Sequence, residues 1–119
     1  MIKNILDVIN RVEENLNDFS EVEISELVLD KLLLSKFESD LEYNIKLIRI
    51  NKRTQRDDIY EKSRQEGKTQ EDCKLIARKS IRSIEKQELK LKSLLEKIKQ
   101  TKRNLKLLIK EKNGNSKIS

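Results

Sequence analysis

Two short runs of cations are the residues here whose type and spacing suit a chemistry. Arg49, Lys52, Arg53 and Arg56 form one set, and Lys74, Arg78, Lys79 and Arg82 the other. Residues 49–82 hold 11 Lys+Arg against 6 Asp+Glu, a net charge of +5. Such a surface attracts a phosphate backbone without reading bases. Tyr60, between the two sets, is suited to stack on an exposed base. An acidic protein surface is a second kind of partner for the same cations, and a merely solvated face is the plain alternative. A further basic row comprises Lys92, Lys99, Arg103, Lys106 and Lys110. The acidic residues between 21 and 42 are expected to lie opposite that row and to neutralise it.

Other chemistries find little support. The chain has no histidine, which removes histidine acid–base catalysis, Ser-His-Asp triads and His-containing zinc sites. One cysteine, Cys73, makes neither a cysteine-rich metal site nor an internal disulfide. It reads as a small core residue, with a reactive thiol near a helix N-terminus as the alternative. Asp57-Asp58 and Glu13-Glu14 occupy adjacent helical positions, which do not share a face. Gly67-Lys68-Thr69 resembles the end of a phosphate-binding loop, but that loop needs a glycine where Lys62 stands and a strand before it. No catalytic residue, metal ligand or cofactor is expected, and the chain reads as a non-enzyme.

Composition limits the architecture. The chain has 119 residues, 35% hydrophobic and 40% charged, with four aromatics and no proline. One domain with long solvated faces and uninterrupted helices follows. Residues 1–48 carry 5 Lys+Arg and 11 Asp+Glu, net −6, whereas residues 49–119 carry 22 and 10, net +12. The two halves are suited to pair, leaving a positive surplus. Asp7, Glu13 and Glu14 interrupt any signal-peptide pattern, and no apolar run approaches the ~20 residues a membrane helix needs. The expectation is a cytoplasmic protein that does not engage a membrane.

Three helices must position the cations. Ile2, Ile5, Leu6, Ile9, Val12 and Leu16 make one stripe, predicting helix over about 2–16. A turn follows at 17–20, with Asp18, Ser20 and Ser25 as open choices for the next cap. The second helix is expected over about 22–65. Its first third is apolar on most sides (Ile24, Leu27, Val28, Leu29, Leu32, Leu33, Leu34), and it then narrows to a seam of Leu34, Phe37, Leu41, Ile45 and Ile48. Gly67 suits a helix stop with φ > 0, and Thr69 an N-cap followed by Glu71 and Asp72. The third helix is expected over about 70–112. Ala77, Ile84, Leu91, Ile98 and Leu105 recur every seventh residue, followed three positions later by Ser80, Gln87, Leu94, Thr101 and Leu108. Gly114 is expected to end it, leaving 113–119 as a flexible tail.

Closing the chain at Gly67 sets Leu27 opposite Leu108, Leu41 opposite Leu94, Gln55 opposite Ser80 and Ile59 opposite Ile76. Apolar then faces apolar and polar faces polar. The predicted fold is all-α: a long antiparallel, coiled-coil-like helical hairpin with the short N-terminal helix packed at its base. A continuous helix through Gly67 in a long parallel coiled coil is the competing arrangement. The broad apolar surfaces of 24–34 and 94–109 exceed what helix 1 is expected to cover. A homo-oligomer built through Leu27, Leu33, Leu34, Leu95 and Ile109 is therefore expected.

This layout resembles small helical accessory proteins encoded in bacteriophage recombination and replication gene clusters. The residues that carry the resemblance are Ser25-Glu26-Leu27-Val28-Leu29, Glu66-Gly67-Lys68-Thr69 and the stretch from Leu91 to Leu108, within residues 24–110. The tyrosine-glycine element of the recombination mediators of large phages is missing. The resemblance implies an accessory protein, in the host cytoplasm if phage-encoded, and assigns no site. The expected role is to self-associate and contact single-stranded nucleic acid, or a nucleic-acid enzyme, through the basic hairpin tip. The alternative is a pure protein-interaction module, such as an inhibitor of a host nuclease or defence protein, or an assembly scaffold.

Overall fold

Gly67 reverses the chain. Its φ is +83°, in the region that only a residue lacking Cβ enters without strain. A Cβ there would meet nothing within 4 Å, so the dihedral, and not crowding, demands glycine. The substitution cost is about 1–2 kcal/mol. The Gly67 N–H donates to the Arg64 carbonyl at 3.0 Å and the Lys68 N–H to the Ser63 carbonyl at 3.3 Å. These two bonds form a Schellman close, which satisfies the last carbonyls of the helix. Two residues later Thr69 starts the next helix, its Oγ1 accepting the Asp72 N–H at 3.2 Å. Glu71 and Asp72 lie in that first turn, where the helix dipole favours acids.

The computed structural model describes residues 2–17 and 22–118. These form α1 (Ile2–Asn17), α2 (Ile24–Gln65), α3 (Gln70–Ser80) and α4 (Arg82–Ile118), and the protein is an all-α helical hairpin. Among the described residues no helix is long and apolar enough to cross a membrane. The proposed caps Asp18 and Ser20 lie outside the described residues. Ser25 is not the cap, because α2 already begins at Ile24, with the Glu23 carbonyl accepting from Glu26 and Leu27.

Two compact units are present, Met1–Leu41 with Leu94–Ser119, and Glu42–Ser93. In the second, Ile45, Cys73, Ala77, Ile81 and Leu91 are buried, so Cys73 is a core residue. The expected single helix over 70–112 is interrupted there at Ile81, whose φ and ψ are −99° and 2°. An unbroken helix would have the Ile81 N–H bond the Ala77 carbonyl. Instead the Ser80 hydroxyl donates to that carbonyl at 2.7 Å, and the Ile81 N–H turns to Lys79. The Ser80 carbonyl accepts from Gln55 Nε2 at 2.9 Å. Local side-chain bonds of this kind compete with the helical ladder. The predicted juxtaposition of Gln55 and Ser80 is present, and it coincides with the break.

The first unit is a three-helix base. Ile5, Val8, Ile9 and Val12 of α1 are buried, as are Leu27, Leu34 and Leu41 of α2 and Leu94, Leu95, Ile98, Leu105 and Leu108 of α4. Each such side chain contributes about 1.5–3 kcal/mol on burial. Arg11 pairs with the buried Asp30, linking α1 to α2. Lys112 Nζ donates to the Val22 carbonyl, and Lys102 Nζ to Glu38 Oε2 at 2.6 Å, linking α4 to α2 and its lead-in. Thr101, a polar residue at a core heptad position, is buried with its hydroxyl donating to the Lys97 carbonyl at 2.8 Å.

Several expectations need correction here. Val8 is inside, whereas Ile2 and Leu6 of the predicted α1 stripe are exposed. Leu27, Leu34 and Leu95 cannot serve self-association, because this chain already buries them; Leu33 and Ile109 are half-buried. Gly114 does not end α4, which continues to Ile118. One glycine costs a helix only about 1 kcal/mol relative to alanine, which is a penalty and not a stop.

Candidate nucleic-acid interface

The eight predicted cations separate into two groups. Arg49 and Lys52 belong to a structural cluster around Glu88. Lys52 Nζ donates to one Glu88 carboxylate oxygen at 2.7 Å, and Arg49 Nε to the other at 3.0 Å. Lys92, one turn along α4, approaches the same carboxylate at 3.2 Å. The Glu88 side chain is only 7% exposed. Its pKa is lowered from 4.5 to about 2, chiefly by the hydrogen bonds from Lys52 and Arg49. Lys92 adds to this, while burial opposes it. Arg49 and Lys52 are therefore part of what holds α2 to α4, not a freely presented binding pair.

The other six, Arg53, Arg56, Lys74, Arg78, Lys79 and Arg82, are exposed. Arg56, Lys74 and Arg78 line one cleft of about 500 Å³ with Asp57, Tyr60, Ala77, Ile81 and Glu85. Position 56 is carried by α2, positions 74 and 78 by α3, and the Gly67 reversal brings them together. Arg56 reaches Asp57 only at 3.8 Å, with both side chains at least half exposed, so its guanidinium remains available. Tyr60 is half-buried and lines the same cleft. The second cleft of this unit, lined by Ile48, Asn51, Thr54, Gln55, Asp58, Ile59, Ile84 and Gln87, offers no cation.

Among the described residues the second basic row forms no ion pair with the acidic stretch of α2. Lys92 belongs to Glu88, and Lys99 comes within 3.8 Å of Glu96 on its own helix. Arg103 bonds the neutral Gln100 at 3.2 Å. Glu38 of α2 pairs instead with Lys102 of α4, which is not in the row.

Glu88 is the residue that sequence reasoning missed. The heptad frame puts Gln87 in the core, yet Gln87 is exposed and Glu88 buried. A signal existed: closing the hairpin at Gly67 sets position 88 near Arg49 and Lys52, and a charged residue opposite two cations has reason to turn inward.

Glu88→Gln should destabilise the protein by about 1–2 kcal/mol at pH 7. The amide cannot satisfy three cations, although the half-exposed Arg49 and Lys92 recover water. Because the folded pKa lies below the unfolded one, Glu88 stabilises fully above about 4.5, and this is lost as pH falls toward about 2. Urea unfolding between pH 2 and 7 should show a wild-type loss of stability across that window that is shallower in Glu88→Gln. Parallel acid profiles would show that the cluster contributes nothing.

No family model, curated protein or solved structure matches this chain.

Proposed function

We propose that this protein is a non-enzymatic helical accessory protein that self-associates and holds single-stranded nucleic acid by its phosphate backbone, close to the Gly67 turn. The observation that supports this most is the cleft that Arg56, Lys74 and Arg78 line together with Tyr60, three cations against the two acids Asp57 and Glu85. Cations supply the sequence-independent attraction, and an aromatic face supplies stacking that every base satisfies. Arg53, Lys79 and Arg82 extend the exposed cationic surface. The cations line a cleft between α2 and α3, an arrangement suited to a backbone and not to base edges in a groove, so sequence preference should be slight. The accessory role agrees with the resemblance to proteins of phage recombination and replication clusters.

For self-association we propose other residues of the same apolar stretch, 24–34, than those the sequence suggested. Val28, Leu29 and Leu32 lie within about one turn of α2, at 39%, 65% and 62% exposure. Apolar side chains grouped in this way favour a protein contact. The same observation favours a second reading, in which the chain is purely a protein-interaction module and its charges serve solubility and partner choice.

Fluorescence anisotropy with single- and double-stranded oligonucleotides, titrated across salt, tests the first reading. Affinity should fall log-linearly with salt. Changing Arg53, Arg56, Arg78 and Arg82 together to Gln should flatten the single-strand slope by about two to three, at about 0.7 per phosphate contact. Tyr60→Ala should cost about tenfold in affinity, within the range of one lost stacking contact. If wild type fails to bind at low salt, the interaction-module reading replaces this one.

Light scattering tests self-association. A dimer or larger species is expected at micromolar concentration, and Leu29→Ser with Leu32→Ser should return the chain to its 14.1 kDa monomer mass. A wild type that stays monomeric at high concentration refutes it.

A further inference from the structure

The unit formed by Met1–Leu41 and Leu94–Ser119 contains its own cationic groove. It measures about 380 Å³ and is lined by Lys31 and Glu38 of α2 and Lys99, Lys102, Arg103 and Lys106 of α4. Five cations thus face a single carboxylate, and that carboxylate is engaged by Lys102 at 2.6 Å. Lys31 and Lys106 form no ion pair among the described residues, and Lys99 has only the 3.8 Å approach of Glu96, itself 71% exposed. Like charges gathered in one groove repel unless an anion joins them.

We infer that this groove is a second binding site, for a chain of phosphates recognised by charge alone. The lining residues decide the class of ligand. No aromatic side chain lines the groove to stack on a base, and the carboxylate in its lining is held by Lys102. No apolar side chain is present to anchor a protein partner, and protein interfaces deplete lysine in their cores. Lysines acting as point charges, with one forked guanidinium, suit phosphate oxygens. Lys99, Arg103 and Lys106 follow one another at successive turns of α4, which rises about 5.4 Å per turn, so they form a line and not a point. A linear polyanion matches a line of cations. Two sources share this chemistry, the backbone of a nucleic acid and an inorganic polyphosphate.

The site is separate from the Arg56–Tyr60 cleft, so each stands or falls on its own residues. The test is an amide-resolved NMR titration of the full chain with inorganic tripolyphosphate and, separately, with a short oligothymidylate. Saturable shifts at Lys31, Lys99, Arg103 and Lys106 with either ligand are expected. Lys99→Gln, Arg103→Gln and Lys106→Gln together should weaken that binding at least tenfold. Glu38→Gln, which removes the opposing carboxylate and releases Lys102, should tighten it severalfold. That gain keeps the idea testable if the triple variant folds poorly. Shifts with both ligands identify the phosphate chain itself as the determinant, and shifts with oligothymidylate alone identify nucleic acid as the source. No saturable shift at these residues overturns the site, as does a shift that survives the triple change undiminished. Shifts confined to Arg56, Tyr60, Lys74 and Arg78 would support the other cleft and overturn this one.

Discussion

The left-handed turn at Gly67 is the constraint on which the rest of this structure depends. Two long amphipathic helices have a nearly repetitive apolar seam, and sliding one by a heptad preserves much of the contact. The turn removes that freedom. With the chain closed by the Gly67 and Lys68 bonds, position 55 of α2 meets position 80, and positions 49 and 52 meet 88. A slide would leave the Gln55 amide without its Ser80 partner and strand the Glu88 carboxylate away from two of its cations. Those losses oppose the slide, because a buried carboxylate left with Lys92 alone recovers less of its desolvation cost. Polar contacts therefore enforce a register that the apolar seam alone leaves ambiguous.

The same register divides labour among the cations. Lys52, Arg49 and Lys92 are drawn to Glu88 and hold the helices together. Arg56, one turn beyond Lys52, pairs with no buried acid among the described residues and lines a cleft instead. Sequence spacing cannot separate these roles, since all these residues are basic and recur at helical intervals. The deciding fact is which positions find a carboxylate inside the hairpin. In the other unit Glu38 plays the corresponding part for Lys102 and leaves its neighbours uncompensated.

Much of the fold was legible because its signals are local. Gly67, Thr69 and the acids after it declare a stop and a cap by side-chain chemistry alone. The heptad residues Leu91, Ile98 and Leu105 are buried where the pattern puts them. What escaped was set by contacts across the chain. The break at Ile81 coincides with the bonds that Gln55 and Ser80 make to backbone carbonyls, and the first of these is a contact across the chain. Leu27, Leu34 and Leu95 looked like surplus apolar surface, yet α1 supplies Ile5, Val8, Ile9 and Val12 to a shared core. The candidate site was half legible: the exposed cations and Tyr60 could be named, but the withdrawal of Arg49 and Lys52 required knowing where Glu88 points.

The closed hairpin is the claim that everything else rests on, and one distance tests it most directly. Lys46 and Lys90 are both exposed, on α2 and α4, and the observed register sets them across from each other. Spin labels at these two positions, with Cys73→Ala and magnetic dilution by unlabelled chain, report their separation within one molecule. Neighbouring helices pack about 8–10 Å apart, so with label arms included the distance should be below about 30 Å. A continuous helix through Gly67 would hold the same labels about 66 Å apart, at 1.5 Å per residue. That long distance would contradict the fold and, with it, the assembly of both cationic sites.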